Sequence, residues 1–224
     1  MLKQRTWAVA LAILGCAGLV GAGAALAADE PAEMPYRAYV PGVAKADKPP
    51  PPTATPRSAP YVGPVASIYL ESARLSGADP IQLGGTHFSG GREYLDDPAG
   101  PRYIMQYALP YLAEAPGFAG GHSIFSAHVN YVGYGNAPFA YLTTAQAGDA
   151  LYITMANGTS YTYSVKSVEI VRLDTLNMDD VVFPPLDSAT ERVTLISCGG
   201  TFIPAAVGGE YNSRVILVAE RFVP

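Results

Sequence analysis

Cys198 is the side chain in this sequence best suited to covalent chemistry. It ends the run RVTLISC, Arg192 to Cys198, and is followed by Gly199 and Gly200. A thiol becomes a nucleophile as its thiolate or beside a base, and near neutral pH that base is usually an imidazole. The chain has three histidines, His87, His122 and His128. His87 lies in GGTHFSGG, which reads as a glycine-rich loop with no obvious apolar framework to position it. His122 opens the apolar run HSIFSAH and His128 ends it, before the polar stretch VNYVGYGNAPF. A strand end can hold a side chain firmly and still present it to a substrate, which favours His128. Acyl transfer also develops negative charge on an oxygen, so a cation or N–H donors must face the sulfur. Among Arg172, Arg192, Arg214 and Arg221, Arg214 heads the last apolar run. If the loop GGTFIPAAVGGEYNS folds back like a hairpin, Arg214 returns beside Cys198.

Two other uses of these residues compete. Cys198 is equally suited to being a small buried hydrophobe. His122 and His128 are six apart, a spacing that does not place them together on one helix and that sets them ~20 Å apart along a strand. No cluster with ligand-like spacing accompanies them, so a metal site is not expected and a structural role for at least one histidine is.

The elements that would position these groups read as strands. VASIYLES (Val65 to Ser72), HSIFSAH, ALYITM (Ala150 to Met155), YTYSVKSVEIVRL, RVTLISC and RVILVAERF (Arg214 to Phe222) carry the β-branched and aromatic residues. Asn157-Gly158 marks a hairpin after ALYITM. The alternation in YTYSVKSVEIVRL changes phase between Lys166 and Val168, where a β-bulge is expected. Val215 to Ala219 is unbroken apolar sequence, as in a strand covered on both faces. Only YIMQYALPYLAEA (Tyr103 to Ala115) and YLTTAQAG offer short helices, and Pro110 limits the first. Six to eight short strands in about 160 residues imply an all-β fold, either a closed or nearly closed barrel or a sandwich, with short helices.

The chain of 224 residues divides into three parts of different composition. Residues 1–28 begin with Lys3 and Arg5 and continue in an uncharged apolar stretch, so they read as a signal peptide or an N-terminal membrane anchor. A faint lipobox-like Ile13-Leu14-Gly15-Cys16 is a third option. Each of these sends the bulk of the chain out of the cytoplasm, where Cys198 would be its single thiol. Residues 29–60 are a Pro-rich linker containing Pro49-Pro50-Pro51-Pro52, and residues 61–224 form the globular domain. A formal charge of −5 and the absence of a basic cluster argue against a nucleic-acid partner.

At this point the residues resemble a known family. TLISC followed by an arginine at the head of the next apolar strand is similar to the sortase signature T-L-x-T-C…R. IFSAHVNY, then Pro138-Phe139 and Gly148-Asp149, resembles the sequence around the sortase histidine. CGGTF resembles classes E and F. The resemblance implies His128 as acid/base, Cys198 as nucleophile and Arg214 as the cation that steadies substrate and oxyanion. Thr194, Leu195 and Ser197 match the signature around the cysteine and are carried over as substrate-binding, with Ser197 standing where threonine is usual. The implied activity is transpeptidation: cleavage of an LPXTG-like C-terminal sorting signal on surface proteins through a thioacyl-enzyme, then transfer to an amine acceptor, either a cell-wall peptide or a pilin-like lysine. The implied fold is an all-β closed barrel of about seven to eight strands with short helices, and no cofactor is implied. Residues 84–116 match the family poorly.

Two alternatives remain open at this level. An L,D-transpeptidase also places His before Cys in an exported β-rich chain, but its signature has an arginine just after the cysteine, where Gly199-Gly200 stand here. An exported non-catalytic β-barrel binding module would simply pack Cys198 in its core.

Overall fold

The computed structural model describes residues 60–89, 92–107, 113–205 and 209–223. The expected signal peptide or anchor and all but the last residue of the expected linker lie outside these residues. Among the described residues no helix is long and apolar enough to cross a membrane.

In chain order the strands are β1 (Val65–Leu70), β2 (Leu75–Ser76), β3 (Ile81–Gly84), β4 (Thr86–Ser89), β5 (Arg92–Leu95), β6 (Ile104–Tyr107), β7 (His122–Ser126), β8 (Asn130–Tyr131), β9 (Gly135–Asn136), β10 (Ala150–Met155), β11 (Ser160–Arg172), β12 (Thr190–Pro204) and β13 (Gly209–Phe222). Among the described residues one short α-helix, α1 (Met178–Val182), lies between β11 and β12. Nine strands form the main sheet in the order β2-β1-β10-β11-β13-β12-β7-β6-β3. The pairs β7/β12 and β3/β6 are parallel and the rest are antiparallel. The sheet curls so that β1, near one edge, packs with β6 and with Ile81 of β3, at the other, around one core. Hairpins β4–β5 and β8–β9 stand apart from it.

Strand alternation builds this core. Leu151, Ile153 and Met155 of β10 point inward, with Tyr163 and Val165 of β11 beside them. The Asn157-Gly158 turn closes the β10–β11 hairpin: Gly158 takes φ +85°, where glycine carries no steric penalty, and Asn157 Oδ1 accepts from the Thr159 N–H. The register of β11 against β13 slips between Val165 and Ser167. Beyond this bulge the inward phase passes to Val168, while Val171 joins a second apolar cluster on the outer face of the sheet. That second cluster, with Ile124, Ile196 and Ile216, is capped by Met178 and Val182 of α1. Leu217 packs inward and Ile216 outward, so the unbroken apolar run of β13 is covered on both faces as expected.

The curled, almost all-strand architecture is the expected β-barrel class, and among the described residues its main sheet has nine strands against the expected seven to eight or so. Two expected helices change. Where a helix is expected over 103–115, residues Ile104–Tyr107 form strand β6, all four of them buried, and the other described residues of that stretch are neither helix nor strand. The second expected helix is a single 3-10 turn, Leu142–Thr144.

Candidate active site

β12 does not end at Cys198 but runs on to Pro204, so the cysteine lies within a paired strand. Its cross-strand partner on β13 is Arg214. On the other side β12 pairs with β7 in parallel, Arg192 beside His122 through Ile196 beside Ser126. β7 ends there, but the Ala127 N–H still donates to the Ile196 carbonyl (3.3 Å). Continued by two residues, this register brings His128 level with Cys198. His128, Cys198 and Arg214 therefore form one row across three neighbouring strands. Side chains in a row share a face, and this is the outer face where Ile124, Ile196 and Ile216 form the second cluster.

The double glycine after the cysteine has a geometric cause. The β12–β13 register breaks between Gly199 and Phe202, and Gly200 sits at φ +77°. A Cβ on Gly199 would lie 2.6 Å from Val215 Cγ2, and one on Gly200 would collide with Asn212 and Ser213. The pair lets the strand bulge directly beside the sulfur.

All three side chains are withdrawn from solvent: Cys198 and His128 are 1% exposed and Arg214 0%. Arg214 donates through Nη1 to the carbonyls of Tyr211 (3.2 Å) and Ser213 (3.0 Å), and its Nη2 reaches Glu210 Oε1 (3.3 Å). Burial pushes the Glu210 carboxyl above its usual range, and the guanidinium opposes that. The other three arginines are tied to carboxylates elsewhere: Arg172 to Asp174 (2.7 Å), Arg192 to Glu220 (2.5 Å) and Arg221 to Glu191 (2.5 Å).

His128 follows β7 and leads into the β8–β9 hairpin. Its carbonyl accepts from the Phe139 N–H (3.1 Å), anchoring the turn to a core residue, and Tyr131 packs edge-on against the imidazole (centroids 5.2 Å). Neither ring nitrogen has a hydrogen bond of good geometry. Burial lowers its pKa from 6.5 to about 4, and the nearby Pro98 carbonyl offsets this only in part. The ring is thus neutral at pH 7 and able to accept a proton. Pro98 belongs to the segment after β5, which lies over this face: the Tyr107 hydroxyl donates to the Asp96 carbonyl (2.7 Å), and Asp96 Oδ1 bonds His87 Nδ1 (2.8 Å).

The remaining sequence-derived residues divide by strand parity. Thr194 shares the outer face with Cys198. Leu195 and Ser197 point the other way, into the barrel, both 0% exposed, with Leu195 in the inner core. The structure does not bring these two to the face of the thiol, and period-two alternation along TLISC is the signal that separates them. His122 is structural: it donates from Nδ1 to the Val182 carbonyl (3.1 Å) and its Nε2 accepts from the Thr194 hydroxyl (2.8 Å). His87 is part of strand β4, not a loop. Residues that sequence reasoning missed are Glu210 and Tyr211, which hold the guanidinium. Their place just before Arg214 on the returning strand was the available signal.

A groove of about 130 Å³ continues along the same face between α1 and the strands, lined by Val171, Asp180, Arg192, Thr194 and Ile216 among others. A larger open depression, about 630 Å³, lies around Tyr69 of β1, Glu71 just after it and Asp149 just before β10, strands removed from the three residues.

The sequence matches the Sortase domain family over residues 97–222. No curated protein matches it. Among solved structures it is similar to a lid mutant of sortase A from Corynebacterium diphtheriae, at 23% identity over 71% of this chain and 70% of that one, with a TM-score of 0.47. It is also similar to the SrtA sortase of Actinomyces oris, at 18% identity over 73% and 82% of the two chains with a TM-score of 0.48. Sortase C2 of Group B Streptococcus pilus island 1 follows at 19% identity over 70% and 73%, with a TM-score of 0.44.

Proposed function

This chain belongs to the sortase family of cysteine transpeptidases, and from that premise we propose that Cys198, His128 and Arg214 carry an acyl transfer from a sorting signal to an amine. Cys198 Sγ attacks the carbonyl of a threonine in an LPXTG-like signal while the neutral His128 imidazole takes the thiol proton. The oxyanion that forms faces the Arg214 guanidinium, already aimed by the carbonyls of Tyr211 and Ser213. Collapse breaks the threonine amide bond. The departing amine takes the proton from His128, and a thioester remains on Cys198. An incoming amine then attacks the thioester and gives its proton to His128, the carbon–sulfur bond breaks to release the new amide, and His128 returns the proton to the Cys198 sulfur.

The observation that supports this reading is the single row formed by the three residues, with the competing arginines each engaged elsewhere. A packed, inert cysteine would explain the burial of Cys198 but not the arginine directly opposite it or the neutral histidine level with it. The groove along α1 is the proposed path for part of the peptide. Because the row is buried, the segment around Pro98 must move for the peptide to reach it.

In this reading residues 1–28 are a signal peptide or anchor, 29–60 a spacer, and 61–224 the catalytic domain working outside the cytoplasm on surface proteins. The accepting amine is a cell-wall peptide or a pilin-like lysine. The run Cys198-Gly199-Gly200-Thr201-Phe202 favours a class E/F relationship. Incubation with a library of sorting-signal peptides and a primary amine tests the proposal: ligated product is expected with the native protein and none with Cys198→Ala. Equal yields from the two would refute it.

A further inference from the structure

We propose that the hydrogen bond from Asn130 Nδ2 to Tyr211 Oη (2.7 Å) is a positioning latch that fixes the turn carrying His128 relative to the strand carrying Arg214. The inference rests on the roles proposed above for those two residues.

Both segments leave the main ladder close to the sulfur. β7 ends at Ser126, two residues before His128, and the chain beyond it enters a hairpin whose strands are two residues each. That hairpin contains Gly133 at φ +77° and Gly135 at φ +90°, both exposed, so its own pairing offers little stiffness. On the other side the β12–β13 register breaks between Gly199 and Phe202, and pairing resumes with Phe202 opposite Tyr211. The Asn130–Tyr211 bond spans the two segments.

Each end of the bond leads on to a reacting group. Tyr131, next to Asn130, packs its ring on His128. The Tyr211 carbonyl accepts from Arg214 Nη1 (3.2 Å). The Tyr211 ring packs with Val129 against the cluster that holds Cys198, and Phe202 stands edge-on to it (centroids 5.3 Å). Tyr211 thus touches the surroundings of all three residues, and its hydroxyl ties them to the histidine turn. Removing that hydroxyl leaves the ring packing in place and loosens the spacing between acid/base and cation. Small losses of alignment of this kind lower the rate of the chemical step more than they weaken peptide binding.

The test is a double-mutant cycle on Tyr211→Phe and Asn130→Ala, with kcat and KM measured separately and the melting temperature of each variant recorded. Each single change is expected to lower kcat about ten-fold with KM within about two-fold, and the double variant to lose no more than either single one. The His128 ring, followed by NMR, gives a readout that needs no peptide. Its titration, near pH 4 in the native protein, is expected to move up toward 6.5 in both variants as water reaches the loosened turn. Losses that multiply, or that fall only on KM or on melting temperature, overturn the latch. If the native protein transfers no peptide, the proposed function fails and the titration alone decides: an unmoved His128 in both variants overturns the latch as well.

Discussion

The Arg214 guanidinium has no exposed surface, yet it is held chiefly by two backbone carbonyls and a carboxylate 3.3 Å away. A planar fork with five donors can satisfy these acceptors and still face the thiol, whereas a lysine ammonium offers a point charge on a different reach. Arg214→Lys is therefore expected to lower kcat/KM by about 100-fold or more, on the order of 3 kcal/mol of transition-state stabilisation. Steady-state kinetics check this, with circular dichroism to establish that the variant folds. Retention of most activity would mean that the guanidinium does not meet the oxyanion. At this scale the pairing of Cys198 with Arg214 was legible, because a loop between two apolar runs returns the second alongside the first. The opposite orientation of Leu195 and Ser197 was legible too, through strand alternation, but the family signature treats the run as one block and hides it. The partner of His122 was not legible, since Val182 and Thr194 reach it from 60 and 72 residues away.

Within the elements, β12 carries both the nucleophile and the irregularity beside it. Gly200 combines a positive φ with a crowded approach to Asn212 and Ser213, so a side chain there is strained twice. Gly200→Ala is expected to destabilise the domain by roughly 1–3 kcal/mol and to reduce activity further than that loss explains, because relief of the clash shifts Cys198 against Arg214. Urea unfolding and kinetics on the same sample separate the two effects, and a variant with native stability would remove strain from the explanation. Strand identity was readable where one face is wet, as in β10 and the first half of β11. It failed for β6, since a strand buried on both faces shows no alternation and Tyr103 to Ala115 looks equally helical. Edge strands such as β2 and β3, of two and four residues, are too short to carry a period and leave no signal in the sequence.

Taken as a whole, the curled sheet has an inner core and a second apolar cluster on its outer face, and the outer side holds two neutral histidines, His122 and His128, each with a pKa lowered to about 4 by burial. The unfolded chain would protonate both near 6.5 while the folded one does so only near 4. Across that window the unfolded state binds more protons, so stability falls as pH drops from 6.5 to 4 and is insensitive to these groups above it. A shift of this size corresponds to roughly 3 kcal/mol per histidine. Urea unfolding at several pH values between 7 and 4 is expected to show the decline, with a shallower slope in His122→Gln; a flat profile would mean that the folded protein protonates both rings freely. The central claim is that these buried groups act together on an acyl carbon at one sulfur. Intact-mass analysis of the protein mixed with a sorting-signal peptide, without added amine, measures this most directly. The claim predicts an adduct of the peptide's acyl portion that maps to Cys198 by digestion and is lost in Cys198→Ala, with its formation strongly slowed in His128→Ala. An adduct absent with every peptide offered, or one that persists without the Cys198 thiol, would contradict it.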